Sequence, residues 1–229
     1  MKHFDVILWD VDGTLLNFLE AEKAAIRSLF SELKLGECTD EMLGRYSEIN
    51  RKYWNRLERG EMTKPEILVG RFVEFFTTVG IDPSLSPEFN AAYQVRLGDT
   101  IVFCDHSKEL VASLVGTVRQ YVVSNGTVIA QTKKLQNSGF DVLMDGVFLS
   151  EEIGYEKPAK EFFERVFERI GPVKRERVLI VGDSLSSDIL GGTYAGIKTC
   201  WYNPSGSVND TKARVDFEVR DLREVLAVL

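Results

Sequence analysis

Four short clusters in this sequence combine acids, hydroxyls, a lysine and glycines in the way a phosphate-handling centre requires. Asp10 and Asp12 flank Val11 and are followed by Gly13 and Thr14. Two carboxylates so spaced across a tight glycine-containing turn can converge on one ligand, although Asp and Gly are also ordinary turn residues. Ser124, Asn125, Gly126 and Thr127 form a second cluster just ahead of a helical pattern. Hydroxyl and backbone N–H groups at a helix N-terminus hold phosphate oxygens, and the same residues also serve as a plain helix cap. Lys157 precedes Pro158 where another helical pattern begins. Taken singly it reads as a solvated charge; beside two aspartates and a phosphate it becomes a charge clamp. Asp183 and Asp188, in the run GDSLSSD, bring the carboxylates to four. Like charges in one crevice repel, and a bound cation relieves that repulsion. An all-oxygen donor set suits Mg2+, which takes one or two carboxylates together with waters and a substrate phosphate.

These clusters converge only if a particular sheet positions them. Residues 4–9 are an apolar run ending at Asp10, the pattern of a buried parallel strand. Similar runs follow at 120–124 (QYVVS), 146–150 (GVFLS), 178–182 (VLIVG) and 198–202 (KTCWY). Helical spacing separates them at 108–115, 128–138 and 159–170, the last placing Phe162, Phe163, Val166, Phe167 and Ile170 on one stripe. Strands alternating with helices predict an α/β fold, a doubly wound, Rossmann-like parallel sheet with helices on both faces. Ligands of such sheets bind beyond the carboxyl ends of the strands, where all four clusters fall. Residues 16–98 interrupt the alternation with four helical patterns. One runs over 20–35 and stops at Gly36, and a second begins at Thr39 and ends at Gly60. A capping-box signature at Thr63 and Glu66 opens the third, and Ser86-Pro87-Glu88 opens the fourth. An inserted α-helical cap domain at 16–98 is expected, within a catalytic core of 1–15 and 99–229.

The bulk composition narrows the partners. A net charge of −7 gives no positive field to attract nucleic-acid polymers or anionic membranes. No apolar run approaches the ~18 residues of a membrane span. Cys38, Cys104 and Cys200 are scattered and lack a CxxC pair, which fits a reducing compartment and hence the cytoplasm. His3 and His106 are the only histidines, too few for a histidine-built metal site. The opening MKHFDVILWD carries acids within its apolar stretch and lacks a small-residue cleavage site, so it reads as a first strand and not as a leader.

DVDGT, SNGT, EKP and GDSLSSD, in that order and spanning nearly the whole chain, resemble the four motifs of the haloacid dehalogenase-like superfamily. The helical stretch between the first two resembles the cap inserted there in one branch of it. The resemblance implies a phosphohydrolase in which Asp10 attacks phosphorus and Asp12 acts as general acid and then base, with Thr14 positioning Asp12. Ser124, the backbone around Asn125 and Gly126 would bind the phosphoryl group, and Lys157 would neutralise Asp10. Mg2+ would be held by Asp10, the Asp12 carbonyl and Asp183, with Asp188 in support. One departure is Asn17, where many relatives carry a second acid; it affects only the local turn.

Dehalogenase members lack an acid at the place of Asp12, so its presence favours phosphoryl transfer. A phosphonate hydrolase would need a cap lysine, and Lys23, Lys34, Lys52 and Lys64 have no distinctive context. The stretches LSEEIGYEKP, GDSLSSDILGG and AGIKTCWYNP are similar to bacterial pyrimidine 5′-nucleotidases, which implies nucleoside monophosphates as substrates. Sugar phosphates or other small phosphometabolites are the alternative, followed by a phosphomutase or a non-catalytic binding protein. Tyr46 and Trp54 are candidate cap contacts to a base, whereas Phe72, Phe75 and Phe76 fit a packing stripe. A monomer or homodimer acting on a small phosphorylated molecule is expected.

Overall fold

The structure, a computed structural model, describes residues 4–229. Residues 1–3, His3 among them, lie outside the described residues. The chain divides into two compact units, one made of residues up to Asn17 together with Ile101–Leu229, the other of Phe18–Thr100.

The first unit is built on six parallel strands: β1 Val6–Trp9, β2 Arg119–Ser124, β3 Gly146–Leu149, β4 Val178–Gly182, β5 Lys198–Tyr202 and β6 Phe217–Val219. Their order in the sheet is β3-β2-β1-β4-β5-β6. The central β1 pairs Leu8 with Tyr121 on one side and with Ile180 on the other. Alternate residues of a strand face opposite sides of the sheet, and two cores follow. Ile7, Trp9, Val122, Leu179, Val181 and Tyr202 lie in one, with Leu110, Val111, Leu114 and Leu135 from the helices packed there. Val6, Leu8, Val123, Val178 and Ile180 lie in the other, against Phe162, Phe163, Val166, Phe167 and Ile170.

Where β1 ends, the chain makes a tight turn and then returns beside itself. The Asn17 N–H donates to the Val102 carbonyl at 2.8 Å, and the Cys104 N–H donates to the Leu15 carbonyl at 3.1 Å. Leu16 forms an antiparallel bridge with Phe103. The outgoing and incoming strands of the first unit are thereby zipped together.

The second unit is four helices, α1 Phe18–Glu32, α2 Asp40–Glu58, α3 Lys64–Val79 and α4 Ser86–Arg96. Thr39 caps α2 by accepting from the Met42 N–H at 3.2 Å. Glu66 closes the capping box of α3 by accepting from the Thr63 N–H at 2.7 Å. Phe30, Phe72, Phe75, Phe76, Phe89 and Tyr93 are buried together inside. Threaded beside them is a polar chain. Asn50 donates to Glu22 at 2.7 Å and accepts from Arg71 at 2.6 Å. Arg71 also donates to Asn90 at 3.3 Å. The remaining helices belong to the first unit: α5 Ser107–Leu114, α6 Val128–Ser138, α7 Ser150–Ile153, α8 Lys160–Ile170, α9 Leu190–Ala195 and α10 Val225–Val228.

Among the described residues no helix is long and apolar enough to cross a membrane, and the three cysteines are free thiols.

Candidate active site

Each strand of the central trio delivers its chemistry at its carboxyl end. Asp10 follows β1 directly and is buried, anchored by its N–H to the Val181 carbonyl at 3.0 Å. Gly13, with φ of +93°, bends the chain there. A Cβ at that position would stand 2.6 Å from Asp183 Oδ2, so only glycine serves both the left-handed backbone and the approach of Asp183. The buried Thr14 hydroxyl sits 3.2 Å from both Asp10 Oδ2 and Asp183 Oδ1 and accepts from the Asp183 N–H at 3.0 Å. Expected to position Asp12, Thr14 instead bridges Asp10 and Asp183 through its hydroxyl.

At the end of β2 the buried Ser124 accepts from the Gly126 N–H at 3.0 Å. Asn125 is turned toward the β3 side: its Nδ2 donates to the Lys157 carbonyl at 2.8 Å and its Oδ1 accepts from the Lys157 N–H at 2.8 Å. That leaves the Ser124–Gly126 backbone, and not the Asn125 carboxamide, as the polar surface of this cluster. Lys157 is wholly buried. Its ammonium donates to Asp10 Oδ1 at 2.8 Å, to Asp188 Oδ1 at 2.6 Å and to the Val123 carbonyl at 2.8 Å. Burial alone would lower this lysine's pKa, but Asp10 and Asp188 outweigh it and raise it above the ordinary range.

Beyond β4 the chain makes a π-helical turn, Leu185–Ile189, which carries Asp188 back to Lys157. The Ser184 N–H holds the second Asp188 oxygen at 3.2 Å. Asp183 is tied through its carbonyl, which accepts from Trp201 Nε1 at 2.9 Å. Oxygens of Asp10, Asp183 and Asp188 lie within 4.8 Å of one another. Burial and then Asp188 push the Asp10 carboxyl up to about 7, against the pull of Lys157. Asp183 is raised too, by desolvation and then by Asp10 and Asp188, though its exposed side lets solvent temper the effect. Three carboxyls crowded so closely form a hard-oxygen donor set that fits a small divalent cation.

Asp12 stands apart from this cluster, with a side chain 24% exposed. Its oxygens are taken by two residues of α6 that the sequence did not single out. Lys134 Nζ donates to Oδ1 at 2.5 Å and Gln131 Nε2 to Oδ2 at 2.6 Å.

The candidate base contacts lie in the helical unit. Tyr46 is completely buried there, stacked on Phe72 at 5.0 Å between ring centroids and edge-on to Phe75. It is a packing residue and not the exposed stacking surface expected, because it falls on the buried stripe of α2. Trp54 is half-buried.

The model of the haloacid dehalogenase-like hydrolase family matches residues 4–196. The HAD-hydrolase YfnB of Bacillus subtilis is 35% identical over 229 residues, covering 100% of this chain and 97% of its own. A crystal structure of YfnB, bound to magnesium and described as revealing interdomain movement, superposes with a TM-score of 0.93, covering 100% of this chain and 99% of that one. The pyrimidine 5′-nucleotidase PynA of Streptococcus pneumoniae is 32% identical, covering 99% of this chain and 95% of its own. The pyrimidine 5′-nucleotidase YjjG of Escherichia coli is 29% identical over 200 residues, covering 87% of this chain and 86% of its own.

Proposed function

This chain belongs to the haloacid dehalogenase-like hydrolase family, and from that premise we propose that it is a Mg2+-dependent phosphomonoesterase working through an aspartyl-phosphate. The observation that carries the reading is the Asp10 carboxylate gripped by a buried lysine at 2.8 Å, with a second acid, Asp12, two residues on. Nucleophilic catalysis splits one hard displacement into two easier ones. In the first, an Asp10 oxygen bonds to phosphorus, the bond from phosphorus to the leaving oxygen breaks, and the Asp12 proton passes to that oxygen. In the second, water attacks phosphorus and gives its proton to Asp12 while the Asp10–phosphorus bond breaks, releasing phosphate. Lys157 balances charge on Asp10 and on the transferring oxygens. Ser124 and the backbone around Asn125 and Gly126 cradle the phosphoryl group. Mg2+ held by Asp10, Asp183 and the Asp12 carbonyl, with Asp188 behind, would neutralise the phosphate and the acids together.

Pyrimidine nucleoside monophosphates are the substrates we infer, because two relatives similar over most of their length bear that activity in their names. Residues 18–100 would then act as the cap, and the enzyme would serve in the cytoplasm. The test is phosphate release from a panel of nucleoside monophosphates and sugar phosphates, with Mg2+ or with EDTA, beside Asp10→Asn. Metal-dependent release led by pyrimidine nucleotides and lost in the variant supports the whole reading. Release led by sugar phosphates keeps the chemistry and rejects the nucleotidase assignment, and activity surviving in Asp10→Asn rejects the mechanism.

A further inference from the structure

Asp12 is the one acid of the centre whose partners come from a helix surface. Both donors, Gln131 and Lys134, are buried and lie one turn apart on α6, on the face that carries Ala130, Leu135 and Ser138 into the core. Polar side chains at core-facing positions cost free energy unless they are hydrogen-bonded, and here each donates to the same carboxylate. The room for this is made by the second cluster, since a Cβ at Gly126 would stand 2.2 Å from Gln131 Nε2. The Ser-Asn-Gly turn therefore does more than face a phosphate: it lets α6 reach Asp12.

The two donors are not equivalent. Lys134 can only donate, and it suits an ionised carboxylate. Gln131 Nε2 donates to Asp12, while its Oε1 is buried and has no hydrogen-bond partner among the described residues. A carboxamide turned end for end offers that oxygen to an acid O–H. Gln131 can thus serve Asp12 with and without its proton, the two forms an acid–base group must alternate between in one turnover.

We propose that Gln131 and Lys134 are the positioning residues of the acid–base carboxylate, holding Asp12 in register for proton transfer to the leaving oxygen and from water. The inference rests on the phosphomonoesterase reading and on Asp12 as its proton carrier.

Leaving-group dependence separates this role from a structural one. A nitrophenolate departs as an anion and needs no proton, whereas the alkoxide of a nucleoside 5′-monophosphate does. Lys134→Met and Gln131→Met are therefore compared with wild type on p-nitrophenyl phosphate and on an alkyl monoester the wild type turns over, uridine 5′-monophosphate first. Expected is a loss in kcat/KM of about 10–100-fold on the alkyl ester, a share of the 10²–10⁴ typical of general acid–base catalysis, and a far smaller loss on the aryl ester. Activity on the aryl ester also certifies that the variants are folded. Placed on an Asp12→Asn background, either change is expected to cost nothing further on the alkyl ester, since residues acting through one group are not additive. Equal losses on the two esters, no loss on either, or full additivity with Asp12→Asn would each overturn the assignment. A wild type that hydrolyses neither ester would instead remove the phosphomonoesterase reading and this inference with it.

Discussion

Asn125 and Lys157 are joined backbone to side chain through a reciprocal pair of hydrogen bonds, both 2.8 Å long, across the ends of β2 and β3. The carboxamide of one motif thereby fixes the main chain of the next. From the main chain so clasped, the Lys157 ammonium reaches Asp10, Asp188 and the Val123 carbonyl at once.

Asn125→Ala is expected to leave the Lys157 N–H and carbonyl buried without partners. The cost in stability should be about 1–3 kcal/mol, and kcat should fall more than KM changes. Urea denaturation and steady-state kinetics on the same preparation check both, and a variant as active as wild type would separate the pair from the chemistry.

Lys157→Met removes the cation between two buried carboxylates. Breaking a buried ion pair from one side costs about 3–5 kcal/mol, so the variant should unfold at markedly lower urea. Added Mg2+ is expected to recover part of that loss, because ligands of the native state stabilise it. A melting curve indifferent to both the substitution and the metal would contradict the charge balance described.

Thr14→Val keeps the volume of the side chain and deletes the hydroxyl shared by Asp10 and Asp183. Groups that orient metal ligands without touching the metal are worth roughly 10–100-fold in affinity, and a weakening of Mg2+ binding on that scale is expected by calorimetry. Gly13→Ala should weaken it further, as strain of about 1–2 kcal/mol in a left-handed backbone adds to displacement of Asp183.

Glu22 supplies a pH dependence of stability away from the catalytic centre. Burial raises its pKa above the ordinary 4.5, against the hydrogen bonds of Ser47 and Asn50. A carboxyl raised on folding binds its proton more tightly in the native state. Its contribution is therefore full below the unfolded value and is lost as pH rises through the folded one. Glu22→Gln should flatten that decline in urea melts taken from acid to neutral pH; parallel curves for the two proteins would count against it.

The sheet was legible because strands buried on both faces read as unbroken apolar runs, and each run here stops at a cluster of polar residues. Val178–Gly182 and Lys198–Tyr202 have the bounds the pattern predicts. The sixth strand, Phe217–Val219, was not legible: three residues with Glu218 in the middle carry no period. Gln131 and Lys134 were overlooked for a different reason. In VIAQTKKLQNS a lysine reads as a solvated charge, yet the buried stripe runs through Ala130, Gln131, Lys134, Leu135 and Ser138 while Ile129 is exposed. Polar residues standing where a helix should be apolar were the available signal. Tyr46 shows the converse: Leu43, Tyr46, Ile49, Asn50, Tyr53 and Leu57 recur at helical spacing, and that period, not the aromatic ring, decided its place.

The short zipper of Leu15, Leu16 and Asn17 against 102–104 has a consequence for the history open to such a chain. Loop-closure entropy grows only slowly with length, and here the ends of residues 18–100 are already clasped by the first unit's own backbone. The hydrolytic sheet is therefore nearly indifferent to what is strung between them. An interposed segment can be lengthened, shortened or exchanged like a cassette, and lineages can diversify in it without disturbing the groups at the strand ends.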